Sequence, residues 1–174
     1  MKKYIVESLG TFTLTIIVII MASNGSQLTP FLAVLTLGLF VYSIGHIYGC
    51  HINPAVTLGV LSLKKINLKD ALLYILFQLL GAGIAWYVAN FLISDLATKL
   101  SPIKNRLVED PLIGFAEALG MFFFTFGIAS VIYEKTPALM NGVVIAGSLL
   151  LGIFIASSAS NGILNPAVAF GLGS

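Results

Sequence analysis

Two asparagines, Asn53 and Asn165, each begin the same four-residue motif, Asn-Pro-Ala-Val. Asparagine is a favoured N-cap, and proline fits the first position of a helix because its missing N–H would have no partner there. One such motif predicts only the start of a helix. The asparagine amide can also donate hydrogen bonds to a nearby oxygen atom. Two copies within a strongly apolar chain therefore indicate a paired polar site.

The composition of the chain is typical of a membrane protein. Of its 174 residues, 58% are hydrophobic and 9% are charged, and the mean hydropathy is +1.02. The net charge is +2 and no basic run is suited to nucleic acid, so we predict no nucleic-acid partner. The single cysteine, Cys50, excludes an intramolecular disulfide and a cysteine-rich metal site, and we predict neither metal nor cofactor.

Five apolar stretches are long enough to cross a hydrocarbon core of about 30 Å, which takes about 20 helical residues. They cover residues 4–22, 31–48, 71–93, 112–133 and 138–156. If these spans alternate in direction, most of the lysines lie on the side of the N-terminus, which predicts a cytoplasmic N-terminus. These lysines are Lys2, Lys3, Lys64, Lys65, Lys69 and Lys135. We therefore predict an all-α, multi-pass integral protein that contacts lipid in the cell membrane.

The segment that follows the second span is too short to cross. Residues 53–63 would form a helix of about 16 Å, half of the membrane. The chain must return to the side that it left so that Lys64 and Lys65 stay cytoplasmic. Irregular backbone at this depth is tolerated only where it is buried in protein or lines a wet cavity. We therefore predict that residues 49–63 form a re-entrant segment beside a pore.

The chain is an internal duplication. The pattern Glu7-x-Leu9-Gly10-x-Phe12 recurs as Glu117-x-Leu119-Gly120-x-Phe122, in nearly the same register as the two Asn-Pro-Ala motifs. Three spans separate equivalent points, so the second copy is inverted relative to the first. We predict one channel domain, with repeat one at about residues 1–93 and repeat two at about 111–174. The two short helices then enter from opposite faces, and their N-termini meet near the midplane.

The paired N-termini of the two short helices predict which solutes can pass. Each helix N-terminus carries the equivalent of about half a positive charge, so the pair repels cations. The amides of Asn53 and Asn165 can each donate to a passing oxygen. A water molecule held from both sides points its hydrogens away along the channel, which interrupts proton hopping. This arrangement predicts a passive path for small neutral solutes.

These features resemble the major intrinsic protein family, the aquaporins and glycerol facilitators. The resemblance rests on the paired motifs, on Gly45-His46-Ile47-Tyr48-Gly49 and on a glutamate in the first helix of each half. The motif residues are Asn53, Pro54, Ala55, Asn165, Pro166 and Ala167. The resemblance implies six spanning helices, two half-helices and a homotetramer with one pore per subunit. We expect Glu7 and Glu117 to brace the re-entrant loops, as the family also implies, and His46 to form a structural hydrogen bond.

The sequence departs from the family in two ways. Members usually carry arginine directly after the second motif, as part of an outer constriction, whereas this chain has Val168. Counted as in the family, the other constriction positions are Ala33, Ile153 and Gly162, which predicts an apolar, wider filter that admits glycerol or urea. The sequence also ends ten residues into the second short helix, which predicts truncation before a last spanning helix.

Two other functions are compatible with parts of the sequence. Inverted repeats with broken helices are common in secondary transporters, in which Glu7 or Glu117 would carry a coupling proton. Uptake would then collapse with the proton gradient, whereas a channel would be independent of it. A membrane enzyme is not predicted, because neither His-Glu-x-x-His nor Gly-x-Ser-x-Gly occurs.

Overall fold

The computed structural model describes residues 1–45, 47, 49–104 and 111–173, with the backbone alone at 101–104. Within these residues the regular structure is entirely helical, in agreement with the predicted all-α class. The helices are α1 (Lys2–Ser23), α2 (Thr29–Phe40), α3 (Pro54–Ser62), α4 (Leu68–Leu92), α5 (Leu96–Lys104), α6 (Pro111–Ile132), α7 (Asn141–Ala156) and α8 (Pro166–Leu172). His46 lies outside the described residues.

Four helical stretches in the described part of the chain are long and apolar enough to cross a membrane. They are Lys2–Ser23, Leu68–Leu92, Pro111–Ile132 and Ala138–Ala156, the last beginning with a 3₁₀ turn at Ala138–Met140. The second predicted span, residues 31–48, corresponds to a shorter apolar helix, Thr29–Gly45. Its last five residues, Val41–Gly45, form a π-helical turn.

The spanning helices pack mainly in two pairs, α1 with α4 and α6 with α7, and α2 joins the pairs by contacting α1 and α7. Gly81 allows the close approach of α4 to α1, because a Cβ there would collide with the backbone carbonyl of Ser8. Small residues have this role in membrane helix packing generally. The two short helices pack mainly against the first of these pairs.

The two short helices begin at the asparagines, as the sequence predicts. Asn53 and Asn165 are both in an extended conformation, and each side chain caps the helix that follows it. Proline occupies the first turn of both α3 and α8. Helix α3 packs against α4, α8 packs against α1 and α4, and α3 and α8 contact each other.

Helix α5 is an element that sequence reasoning missed, because its segment was assigned to a connector between the third and fourth spans. Leu96 and Leu100 lie one helical turn apart and are both buried, and α5 contacts α1. Because residues four apart lie on the same face of a helix, one face of α5 packs against the core and the opposite face is exposed.

The distribution of polarity is the reverse of that in a soluble protein. Large apolar side chains such as Tyr87, Phe91 and Leu139 are about four-fifths exposed, at 78%, 87% and 82%. Glu7 and Gln78, in contrast, are completely buried. An apolar surface of this extent marks contact with other molecules, and here it surrounds a polar interior.

Candidate solute pore

The two asparagines of the repeated motif are joined by a reciprocal pair of hydrogen bonds. The amide Nδ2 of Asn53 donates to the carbonyl oxygen of Leu164 at 2.9 Å, and Nδ2 of Asn165 donates to that of Ile52 at 2.9 Å. Leu164 and Ile52 are the residues that precede the opposite asparagines. Both asparagines are buried. The structure therefore brings the two motifs together inside the protein.

Each asparagine retains hydrogen-bonding capacity for a solute. The side-chain oxygen of Asn53 accepts from the N–H of Ala55 at 2.9 Å, and that of Asn165 accepts from Ala167 at 3.0 Å. A primary amide has two N–H bonds, of which the reciprocal pair uses one. Within the described residues, the second N–H of each amide is left for an oxygen atom in the cavity that both asparagines line.

Two cavities meet at this level. The outer cavity, of about 570 Å³, opens at the C-terminal end of α1, and the inner cavity, of about 460 Å³, lies between the π-helical turn and the ends of α3 and α6. Leu37, His51 and Phe124 line both cavities. Asn53 and Asn165 line the outer cavity, which is thus separated from the inner cavity by no more than these three shared residues.

The four predicted constriction residues all line the outer cavity: Ala33, Ile153, Gly162 and Val168. The side chains of Ala33, Ile153 and Val168 are buried and apolar. The structure thus brings to one cavity residues that come from α2, α7, the second re-entrant loop and α8. Their role as the narrowest point of the path remains a prediction.

Glu7 holds the first re-entrant loop through its backbone. Its carboxylate accepts from the N–H of His51 at 2.7 Å and from that of Ile52 at 2.6 Å. The amide Nε2 of Gln78 donates to the same carboxylate at 2.7 Å. Ile52 has a left-handed backbone, with φ of 41°. These bonds offset the cost of an irregular backbone in a water-poor interior.

Glu117 occupies the equivalent place beside the second loop. It accepts from the N–H of Ile163 at 3.1 Å and from that of Leu164 at 2.8 Å. The hydroxyl of Ser160 donates to it at 2.6 Å. The two glutamates that were predicted to brace the loops therefore both bond to loop N–H groups, whereas His46 is not among the described residues.

Sequence reasoning missed three polar partners of the glutamates and loops. Gln78 also donates to the hydroxyl of Thr57 at 3.0 Å, and that hydroxyl lies 3.2 Å from Nδ1 of His51. Ser160 is the third missed partner. Gln78 carried a usable signal, because a polar side chain inside an apolar span tends to face the interior of the bundle.

Lys99 is a further residue of the outer cavity that the sequence did not identify. It lies on α5 and lines the cavity together with Asn53 and Asn165. Of the described residues that line this cavity, it is the one that carries a permanent charge.

The residues that could bind a metal are scattered. In the part of the chain that the structure describes, no three His, Cys, Asp or Glu residues lie close enough to hold an ion. His51 contacts Thr57 and the ring of Tyr74, and the thiol of Cys50 is buried. The described lining of the outer cavity combines amides, backbone groups and apolar side chains with His51 and the charged residue Lys99.

Comparison with known proteins supports the same architecture. A family model described as Major intrinsic protein matches residues 1–171. "Glycerol uptake facilitator protein-like 6" of Lactiplantibacillus plantarum is 33% identical, over 98% of this chain and 82% of that protein. "Aquaporin AqpM" of Methanothermobacter thermautotrophicus is 30% identical, over 98% and 81%. The X-ray structure of the aquaglyceroporin from Plasmodium falciparum superposes with a TM-score of 0.78 at 21% identity, covering 98% of this chain and 78% of that one.

Proposed function

Because the chain belongs to the major intrinsic protein family, we propose that it is a passive membrane channel that conducts glycerol and similar small neutral solutes as well as water. Members of this family are channels and not enzymes. The relatives described above include a protein named as a glycerol uptake facilitator and one named as an aquaporin. Both solutes are therefore within the range of the family.

The observation that carries this proposal is the joined asparagine pair in the wall of the outer cavity, and we infer that the outer and inner cavities together form the solute path. A small polyol presents hydroxyl groups on one side and CH groups on the other. The N–H groups of Asn53 and Asn165 suit the hydroxyl groups, and the apolar wall that includes Ile153 and Val168 suits the CH groups. Sites that select small molecules generally combine apolar walls with a few fixed polar groups.

The absence of a charged side chain at position 168 supports glycerol more than strict water selectivity. A valine adds no donor and takes less space than an arginine, so the outer cavity keeps room for a molecule larger than water. Ala33 and Gly162 are also small. We infer that urea-sized solutes are conducted for the same reason.

The setting of the channel follows from the charge pattern and the exposed surface. The lysines on the N-terminal face support a cytoplasmic N-terminus in the cell membrane. The exposed apolar side chains on the outside of the bundle suit membrane lipid and neighbouring subunits. By its membership of the family we also propose a homotetramer with one pore in each subunit, and two repeats at about residues 1–93 and 111–174.

The proton-coupled transporter is not favoured. Glu7 and Glu117, the two carboxylates that it would need, each accept two backbone hydrogen bonds from a re-entrant loop. A carboxylate that gave up these bonds in every cycle would leave buried N–H groups without partners, which costs about 1–3 kcal/mol each.

Stopped-flow light scattering on proteoliposomes that contain the protein tests the proposed function. We expect faster shrinkage and re-swelling with glycerol and urea than in protein-free vesicles, at a rate that is independent of a proton gradient. Equal rates with and without protein for water, glycerol and urea would refute the channel.

A variant at the outer cavity tests the filter. Val168→Arg adds bulk and charge beside the path, so we expect glycerol flux to fall more than water flux. Val168→Leu, which adds little bulk and no charge, is the matched control. If glycerol flux is unaffected by Val168→Arg, position 168 does not form the constriction.

A further inference from the structure

A further cavity adjoins the inner cavity, at the same face as the N-terminus. This basic side pocket, of about 600 Å³, lies between the first turn of α1, the C-terminal end of α3 and the first turn of α4. The charged residues that line it are Lys3, Lys64, Lys65 and Asp70. No part of the proposed transport mechanism uses it.

The charges of the basic side pocket leave a positive excess. Asp70 is the acid of the pocket, and its carboxylate is bound by Lys3 Nζ at 2.8 Å, by the hydroxyl of Tyr4 at 2.6 Å and by Asn67 Nδ2 at 2.9 Å. Lys3 and Asp70 therefore compensate each other. Over the residues that the structure describes, no carboxylate forms an ion pair with Lys64 or Lys65.

The backbone fixes where these two lysines lie. Lys64 has a left-handed conformation, with φ of 58°. Its N–H donates to Leu61 O at 2.9 Å, and the N–H of Lys65 donates to Val60 O at 3.1 Å. The turn that ends α3 is thus closed by hydrogen bonds, and it places two consecutive lysines in the wall of one pocket. A left-handed residue other than glycine is uncommon and marks a position that the surrounding structure determines.

The pocket also shares part of its wall with the solute path. Gly49, His51 and Lys65 line both the basic side pocket and the inner cavity. The ammonium of Lys65 lies 5.5 Å from the ring centroid of Tyr133, directly after the end of α6. An occupant of the pocket therefore contacts residues that shape the inner end of the pore.

We propose that the basic side pocket binds an anionic phosphate group, and that the bound phosphate raises solute flux by drawing Lys65 away from the inner cavity. Lysine ammonium groups bind phosphate as point charges, and basic pockets between membrane helices at the cytoplasmic face bind lipid headgroups. A charge-assisted hydrogen bond to phosphate is stronger than an exposed contact between a cation and an aromatic ring. The phosphate therefore competes successfully with Tyr133 for Lys65.

Binding is tested with a double variant and a matched control. Lys64→Gln/Lys65→Gln removes both free charges, whereas Lys69→Gln/Lys135→Gln removes two lysines of the same face that do not line the pocket. Native mass spectrometry of the purified protein measures bound phosphatidylglycerol, with phosphatidylcholine as the uncharged comparison. We expect the first variant to lose most bound phosphatidylglycerol and the control to keep it. Equal retention by both variants would overturn a lipid phosphate as the ligand.

Titration calorimetry with glycerol 3-phosphate, on protein in phosphatidylcholine nanodiscs, tests a free phosphate as the source. If Lys64→Gln/Lys65→Gln abolishes the heat of glycerol 3-phosphate binding but does not change the retained phosphatidylglycerol, the ligand is a soluble phosphate. Lipid retention without heat assigns it to a headgroup, and both together show that the phosphate alone is recognised. Binding that is lysine-independent in both measurements overturns the proposal.

Regulation is tested by glycerol flux, and this part alone rests on the proposed channel function. We expect phosphatidylglycerol in the vesicles to raise flux through the parent protein and the Lys69→Gln/Lys135→Gln control, and to leave flux through Lys64→Gln/Lys65→Gln unchanged. The same lipid dependence in all three proteins would overturn regulation through Lys65. Absence of flux in every protein would instead refute the channel, and the binding measurements would still decide the site.

Discussion

In the first re-entrant segment the bracing carboxylate, Glu7, is fully buried and accepts a hydrogen bond from Gln78, a residue of a different spanning helix. In the second segment Glu117 is partly exposed and accepts from Ser160, a residue of its own loop. Both glutamates accept two backbone N–H groups. The two halves therefore share the acceptor but differ in what holds it in place.

The two short helices differ in the same sense. Thr57, four residues after the first asparagine, contacts Gln78 and His51, whereas the residue at the corresponding place in the second half is Ala169. Among the described residues, the Thr57 hydroxyl joins two helices through Gln78, whereas Glu117 is bound by groups of its own loop. Both halves cap the short helix with asparagine and pair two loop N–H groups with a glutamate, and the described side chains beside the two glutamates differ.

We expect the largest loss of stability from substitutions of the two bracing glutamates. Glu7→Leu removes the acceptor of two buried backbone N–H groups and of Gln78, at a cost of about 1–3 kcal/mol for each donor. Glu117→Leu removes the acceptor of two loop N–H groups, while the Ser160 hydroxyl keeps the carbonyl of Ala156 as acceptor, so we expect a smaller loss. Thermal unfolding in detergent, followed by the monodisperse fraction, measures both. An equal or larger loss for Glu117→Leu would contradict the comparison.

We expect the second-largest loss of stability at a left-handed residue of the re-entrant loops. The equivalent positions in the two loops are Cys50 and Gly162, with φ of 51° and 63°. A Cβ at Gly162 would collide with the Ser157 hydroxyl and the carbonyl of Ile153. Gly162→Ala therefore combines about 1–2 kcal/mol of left-handed strain with the cost of overpacking. Cys50→Ala, in which the residue already carries a Cβ, is the control and should unfold close to the parent protein. Similar unfolding temperatures for the two variants would show that the loops have the same steric limits.

A smaller effect is expected when the first half is made to resemble the second. Thr57→Ala removes the hydroxyl that joins Gln78 to His51, and we expect a loss of about 1 kcal/mol in thermal unfolding. Thr36→Ala is the matched control, because among the described residues the Thr36 hydroxyl bonds to the carbonyl of Leu32 in its own helix and to no other helix. If both variants lose the same stability, the network between helices adds nothing to the first half.

We expect the smallest change, in glycerol flux, when the charged side chain of the outer cavity is neutralised. Lys99→Gln removes the ammonium group near the mouth and keeps a hydrogen-bond donor, so we expect a reduction in glycerol flux that is smaller than that of Val168→Arg, with water flux unchanged. Lys135→Gln, a lysine of the opposite end, is the control. If Lys99→Gln lowers glycerol flux more than Val168→Arg does, Lys99 and not the apolar side chains determines which solutes pass.

The parts of the fold that the sequence predicted are those that depend on local rules. The Asn-Pro pairs predicted the starts of α3 and α8 because N-capping and the position of proline act over one helical turn. The length of the apolar runs predicted α1, α4 and α6 within a few residues. The inverted arrangement followed from an odd number of spans between the repeats.

The parts that the sequence did not predict depend on distant partners. Gln78 contacts Glu7 and Thr57 only because α4 packs against α1 and α3, and no local pattern shows that. Helix α5 was missed because its polar composition resembles a connector, although Leu96 and Leu100 are both buried. The π-helical turn at Val41–Gly45 also lacks a sequence signal, because the segment is apolar like the helix before it.

The reciprocal asparagine bonds have a consequence for biosynthesis. Their partners are separated by 111 and 113 residues, so the first re-entrant loop is made long before the carbonyl of Leu164 exists. At about 5–20 residues per second, the ribosome takes about 5–20 s to add that length of chain. Until then Asn53 must be hydrated or held by the insertion machinery, because hydrocarbon offers the amide no acceptor. The first repeat therefore completes its folding only when the second repeat has entered the membrane.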